Sequence, residues 1–308
     1  MSLLSHFNAA LVVTAPVLII LLAGILFKRL KIIDSQFVTS GSKLVFNVSL
    51  PCLLFLSVST RSIEQSLDVE LVGYGVLATL GSVVLVWLLA PMLIDKAKRG
   101  VFTQCAFRGN MGIIGIALCV NAFGDEVLGM AAVYLAVLTI IYNIVSVMLL
   151  SNSYRGVVFN LLKNPLIIAI VLGGLWSYMR IPVPAVMESS LDYIARLTLP
   201  LALLCIGASL EWHSLKANRF EAMVGSALKL VVLPAMVVII GYWVGIEGQA
   251  LGVLFLMMSA PTAAAAFVMS KQLSPYGNLA AEIVSLSTAL SPITVTLGLV
   301  MLNMLGWI

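Results

Sequence analysis

Charge is the scarcest commodity in this chain. Asp, Glu, Lys and Arg make up 10% of its 308 residues, against 61% hydrophobic ones, and its mean hydropathy is +1.12. A chain of that length has too few polar side chains to clothe a globule in water, so a water-soluble fold is excluded and an integral membrane protein follows. Histidine is nearly missing: His6 and His213 both fall in flanking segments. There is no H-E-x-x-H, and no two acidic residues sit at mid-membrane depth in separate spans, so an intramembrane enzyme lacks its catalytic set. The four cysteines, Cys52, Cys105, Cys119 and Cys205, all lie in apolar segments, with no CxxC spacing and no histidine nearby. They read as small packed hydrophobes, and no metal or cofactor is expected. No basic leader with a small-residue cleavage site precedes the first apolar run, Ala9 to Phe27, which reads as a span and not as a removed signal.

What is present is apolar runs of membrane length. They predict ten all-α spans at roughly 9–27, 40–58, 70–94, 102–123, 127–150, 163–179, 188–210, 221–245, 249–270 and 279–305. The chain is also written twice: at an offset of 149, Pro16 lies over Pro165, Gly24 over Gly173 and Pro51 over Pro200, and the glycines Gly109 and Gly112 lie over the stretch leading to Pro261. Five spans per copy put the second half (151–308) into the membrane from the side opposite to the first (1–150), which predicts an inverted five-plus-five repeat. Loop charge gives the orientation. The odd loops carry Lys28, Arg29, Lys31, Lys96, Lys98, Arg99, Arg155, Lys163, Lys216, Arg219 and Lys271, and the even loops Arg61 and Arg180. Odd loops are therefore expected in the cytoplasm and both termini outside it, in a multi-pass protein of the cell's inner (plasma) membrane. The net charge of +4 reflects this bias and implies no nucleic-acid partner.

Helix breakers point to a binding site. A mid-span proline removes a backbone donor, and in hydrocarbon the freed groups need protein, water or ligand. Pro51 and Pro200 interrupt spans 2 and 7; Arg108-Gly109-Asn110-Met-Gly112 interrupts span 4, and Ser259-Ala-Pro261-Thr262 interrupts span 9. Opened at these places, spans 4 and 9 would cross near the midplane and offer half-helix N-termini to a carboxylate. Two cations stand near: Arg108, about 9 Å into span 4, and Lys229, about 13 Å into span 8 and a candidate for coupling to protons. Asp192 and Arg196, four apart, are expected to pair, while Asn47 and Arg196, each four residues before a proline, could point at the crossing. Glu282 lies one turn into span 10, at the expected interface, and is a second coupling candidate; Ser285, Ser287, Thr288, Ser291 and Thr294 follow on that span, and Tyr142 and Asn143 on span 5. Paired broken helices in a duplicated chain favour alternating access over a channel.

N-x-x-L-P (Asn47 to Pro51), R-G-N-x-G-x-x-G from Arg108, K-L-x-x-x-P (Lys229 to Pro234), A-P-T-A around Pro261 and S-T-A-L-S-P-I-T in span 10, in this order over essentially the whole chain, resemble the auxin efflux carrier family. The resemblance implies a fold like that of bile acid and sodium symporters, with a scaffold of spans 1, 2, 6 and 7 and a transport domain of spans 3–5 and 8–10. It implies a small organic anion such as malate, malonate or an auxin-like acid, bound at the crossing of spans 4 and 9 and carried by an elevator motion. A homodimer through the scaffold fits the same architecture. The alternatives are a sensor or channel on the carrier fold, or a sodium-coupled symporter. Thr262 is followed by alanines to Ala266 where many relatives keep an asparagine, and span 9 is thin in carboxylates and amides, which speaks against sodium sites.

Overall fold

The computed structural model describes residues 3–60, 67–150, 163–210 and 218–308. Arg61, Arg155, Lys216, His213 and the link between the halves from 151 to 162 lie outside them. Among the described residues the fold is helical throughout. The helices are α1 (Leu3–Arg29), α2 (Ser35–Ser59), α3 (Val69–Leu93), α4 (Arg99–Phe107), α5 (Met111–Phe123), α6 (Asp125–Leu150), α7 (Pro165–Tyr178), α8 (Ala185–Ser209), α9 (Arg219–Trp243), α10 (Gly248–Ser259), α11 (Ala264–Leu273) and α12 (Gly277–Leu305). Seven of them are long and apolar enough to cross a membrane, and three shorter apolar helices, α5, α7 and α10, fall at the expected spans 4, 6 and 9.

The surface is that of a molecule in lipid. Leu22, Val84, Leu88 and Leu172 stand exposed on the apolar helices, while Arg108, Lys229, Thr262 and Ser287 are buried. That is the reverse of a water-soluble distribution. Helix starts follow ordinary capping chemistry where they meet water: Asp34 accepts from the Phe37 N–H at the head of α2, and Asp68 from the Leu71 N–H at the head of α3.

Prolines shape the interiors. Pro51 has no N–H to give the Asn47 carbonyl, and the turn before it widens so that the Leu50 N–H reaches Val45 O, five residues back. Pro234 has the same effect in α9, where the Leu233 N–H reaches Leu228 O. In α8 the helix gives way at Arg196 and Leu197, just before Pro200.

Spans 1 and 7 pack as closely as backbones allow. A Cβ on Gly24 would lie 2.3 Å from the Leu204 carbonyl oxygen, and one on Gly207 2.1 Å from that of Leu21. Span 6 meets span 2 in the same manner, with the Gly173 Cβ position 2.9 Å from Phe55 O. Exchanging the two halves turns the first contact into the second, so the duplication seen in the sequence is also a relation in space.

Candidate functional site

α4 stops at Phe107, and Arg108 leaves it with ψ of 94°, an extended conformation. α10 stops at Ser259, because the residue before a proline is pushed out of the helical region; Ala260 has φ −56° and ψ 134°. The two extended segments then pair antiparallel, Gly109 opposite Thr262. The Asn110 N–H donates to Pro261 O at 2.7 Å and the Ala263 N–H to Arg108 O at 2.9 Å. Helix resumes at Met111 and at Ala264. Spans 4 and 9 thus cross as expected, joined by two backbone hydrogen bonds. The register differs. Gly109 and Thr262 are 153 positions apart, not 149, so the Gly112–Pro261 match is corrected by four residues, close to one helical turn. Gly112 lies past the break, in the first turn of α5.

At their C-terminal ends the broken helices lose their usual donors. Pro261 has no N–H for Met257 O, the Thr262 N–H goes to Ser287 Oγ at 3.1 Å, and the Ala263 N–H goes across to Arg108. Thr262 Oγ1 donates to Cys105 O at 2.8 Å, in the last turn of α4. Lys229 Nζ donates to Met258 O at 2.7 Å, in the last turn of α10. The hydroxyl of Thr262 is therefore spent on holding the crossing. Ser259 Oγ is buried with no partner among the described residues.

Arg108 neither snorkels nor points at open space. Its guanidinium donates to Tyr142 O, Ser146 Oγ and Asn143 Oδ1, each at 2.9 Å, and so ties span 4 to span 5. It is 7% exposed and Lys229 1%, and among the described residues neither meets a carboxylate. Ser146 was missed in the sequence, although it is four residues beyond Tyr142 on the same face. At the N-terminal ends, the N–H groups of Met111, Gly112 and Ile113 and of Ala264 and Ala265 have no acceptor among the described residues. The Asn110 side-chain amide also makes no hydrogen bond there, and Gly112 and Ala263 are half-exposed while Ala264 and Ala265 are exposed. At these N-terminal ends the crossing offers donors and positive charge, and among the described residues no carboxylate.

Other expected residues lie elsewhere. Glu282 is not interfacial: it is 1% exposed and accepts from the Asn218 N–H and Nδ2, at the head of α9. It belongs to a cluster in which Lys98 Nζ donates to Asn218 Oδ1 at 2.8 Å and pairs with Glu221 at 2.7 Å. Asn47 is exposed, and its amide turns back to Lys43 O. Asp192 and Arg196 pair at 2.7 Å as the spacing predicts. Pro51 is half-buried and its neighbour Leu50 packs on Gly112. Pro200 and Arg196 line a cavity of about 550 Å³ with Leu53, Val120, Asp125 and Glu188. Its lining leucines look in the sequence like any lipid-facing run.

A family model described as membrane transport protein matches the chain over residues 10–156 and 149–299. An uncharacterized transporter of Methanothermobacter thermautotrophicus is 25% identical over 93% of this chain and 96% of its own length. One from Methanocaldococcus jannaschii is likewise 25% identical, over 95% and 96%. The uncharacterized transporter YfdV of Escherichia coli is 21% identical over 85% of this chain and 87% of its own.

Proposed function

The chain belongs to the membrane transport protein family, the auxin efflux carriers that its motifs resemble, and on that premise we propose that it is a secondary transporter of a small organic anion bound at the crossing of spans 4 and 9. One observation carries the reading. Two buried cations, Arg108 and Lys229, flank a crossing whose first-turn N–H groups and Asn110 amide have no partner among the described residues. Buried positive charge without a carboxylate is costly, and a bound carboxylate would offset that cost while taking the idle donors. The carboxylate would sit against Asn110 and the head of α5, reached past the half-exposed Gly112.

Ten spans in two inverted halves supply the motion. Every hydrogen bond that builds the crossing comes from spans 4, 5, 8, 9 and 10. Toward spans 1, 2, 6 and 7 the contact at the site is apolar, Leu50 on Gly112, and the polar ties nearby are Thr14 to Thr296 and Asn121 to Val13 O. A hydrogen-bonded unit against a largely apolar face favours an elevator, in which the site-bearing spans move as one body along the scaffold.

The test is thermal unfolding of the purified protein with malate, malonate, acetate, indole-3-acetate and the neutral control malonamide. At least one anion should raise the transition temperature, since a ligand at one hundred times its Kd stabilises by about 2.7 kcal/mol. Asn110→Leu should lose that shift. An unchanged shift in Asn110→Leu, or no shift with any anion, would remove the crossing as the site.

A further inference from the structure

We propose that the Lys229 ammonium is a built-in counter-cation: it fills, on a tether, the place at the carbonyl end of α10 where a free monovalent cation would otherwise bind. The inference rests on the anion-transporter reading for its purpose, though not for its geometry.

The two halves of the crossing are compared through the pairing of Gly109 with Thr262. The same relation sets Cys105 against Met258, each four residues before its partner in the bridge. In the first half the Cys105 carbonyl is capped by the hydroxyl of Thr262 at 2.8 Å. In the second half the residue that should cap Met258 O is Gly109, which has no side chain. Lys229 Nζ caps Met258 O instead, at 2.7 Å, and a Cβ on Gly109 would lie 3.0 Å from Nζ and 3.2 Å from Ala260 O. The glycine is therefore what makes room for the ammonium. A neutral hydroxyl suffices in one half, and a charged group stands in for it in the other.

The surroundings suit a cation. The carbonyls of Met257, Met258 and Ser259 have lost their helical donors to Pro261 and to the crossing, and they form the negative end of α10. Ser259 Oγ is buried beside them, without a partner among the described residues. Backbone carbonyls with no carboxylate beside them among the described residues can replace the hydration shell of a monovalent cation, as they do in potassium-selective filters. With the charge supplied covalently, an anion at the neighbouring N-termini needs no free cation to balance it.

Lys229→Ala vacates the place and tests this directly. Purified Lys229→Ala should unfold at a lower temperature than the native protein. Methylammonium or ammonium chloride at about 100 mM should recover at least half of the loss, because a ligand that binds the folded state raises its stability. The same concentration of choline chloride should recover none, and the native protein should respond to neither. Equal recovery by choline, or none by any small cation, would overturn the proposal.

A second variant separates charge from capping. Gly109→Thr combined with Lys229→Met copies the Thr262 cap without the charge, and should unfold near the native temperature yet lose any malonate-induced shift. A retained malonate shift in the double variant would show that a neutral cap is enough and would overturn the proposal. If native protein shows no shift with any anion, the transporter reading fails, while the methylammonium arm still decides the cation place.

Discussion

Gly207→Val should leave little folded protein. The Cβ position at Gly207 is 2.1 Å from Leu21 O, and that at Gly24, on the facing helix, is 2.3 Å from Leu204 O. Both obstacles are backbone, so no rotamer change relieves them, and α1 and α8 would have to separate along their length. Overpacking costs typically 1–3 kcal/mol, and a clash with backbone belongs at or above the top of that range, about 3 kcal/mol or more. Gly81→Val, at a glycine with nothing within 4 Å, should stay within about 0.5 kcal/mol of native. Thermal unfolding of the two variants in detergent, side by side, checks the contrast; similar losses in both would mean that spans 1 and 7 do not meet through these glycines.

Arg108→Met should destabilise by roughly 2–4 kcal/mol, because three charge-assisted hydrogen bonds are lost and Ser146 and Asn143 are left without their donor in a buried place. Arg108→Lys should recover only part of this, since one ammonium cannot reach three acceptors that the guanidinium fork meets at once. Equal stability of the methionine variant would show that span 4 is not held to span 5 through this residue. The contrast with Lys229 is in the number of ties: Arg108 joins spans 4 and 5 through three acceptors, while Lys229 joins spans 8 and 9 through one among the described residues, Met258 O.

The breaks at Gly109 and Pro261 were readable in the sequence because their cause is local. Proline disfavours helix at the residue before it, and glycine with asparagine in a span gives helix little support. The pairing of Asp192 with Arg196 was equally local, a matter of four-residue spacing. What the sequence hid depends on three dimensions. The offset of 149 holds for Pro16 and Pro165, but the crossing pairs residues 153 apart, and an insertion between landmarks leaves no mark on either one. Glu282 reads as interfacial from its place near the start of a helix, yet Asn218 of another helix folds over it. In the sequence Thr262 is a residue of the span 9 break, and the partner of its hydroxyl, Cys105 O, is a backbone atom that no side-chain pattern reveals. Lys229 stood out because a lysine that deep in a span is costly. That it caps α10 became visible only with the geometry.

The most direct measurement of the central claim is counterflow in proteoliposomes loaded with unlabelled malate, malonate or indole-3-acetate and exposed to the same labelled compound outside, for native protein and for Gly112→Val. A Cβ on Gly112 would lie 3.6 Å from the Leu50 and Leu135 side chains, and Gly112 is the half-exposed residue of the otherwise buried first turn of α5, so a valine there covers the N–H groups proposed to hold the carboxylate. Native protein is predicted to accumulate label for at least one of these anions, and Gly112→Val to show none above empty liposomes. Label accumulating equally well in Gly112→Val would contradict an anion site at the crossing, and no accumulation of any anion by the native protein would contradict anion transport itself.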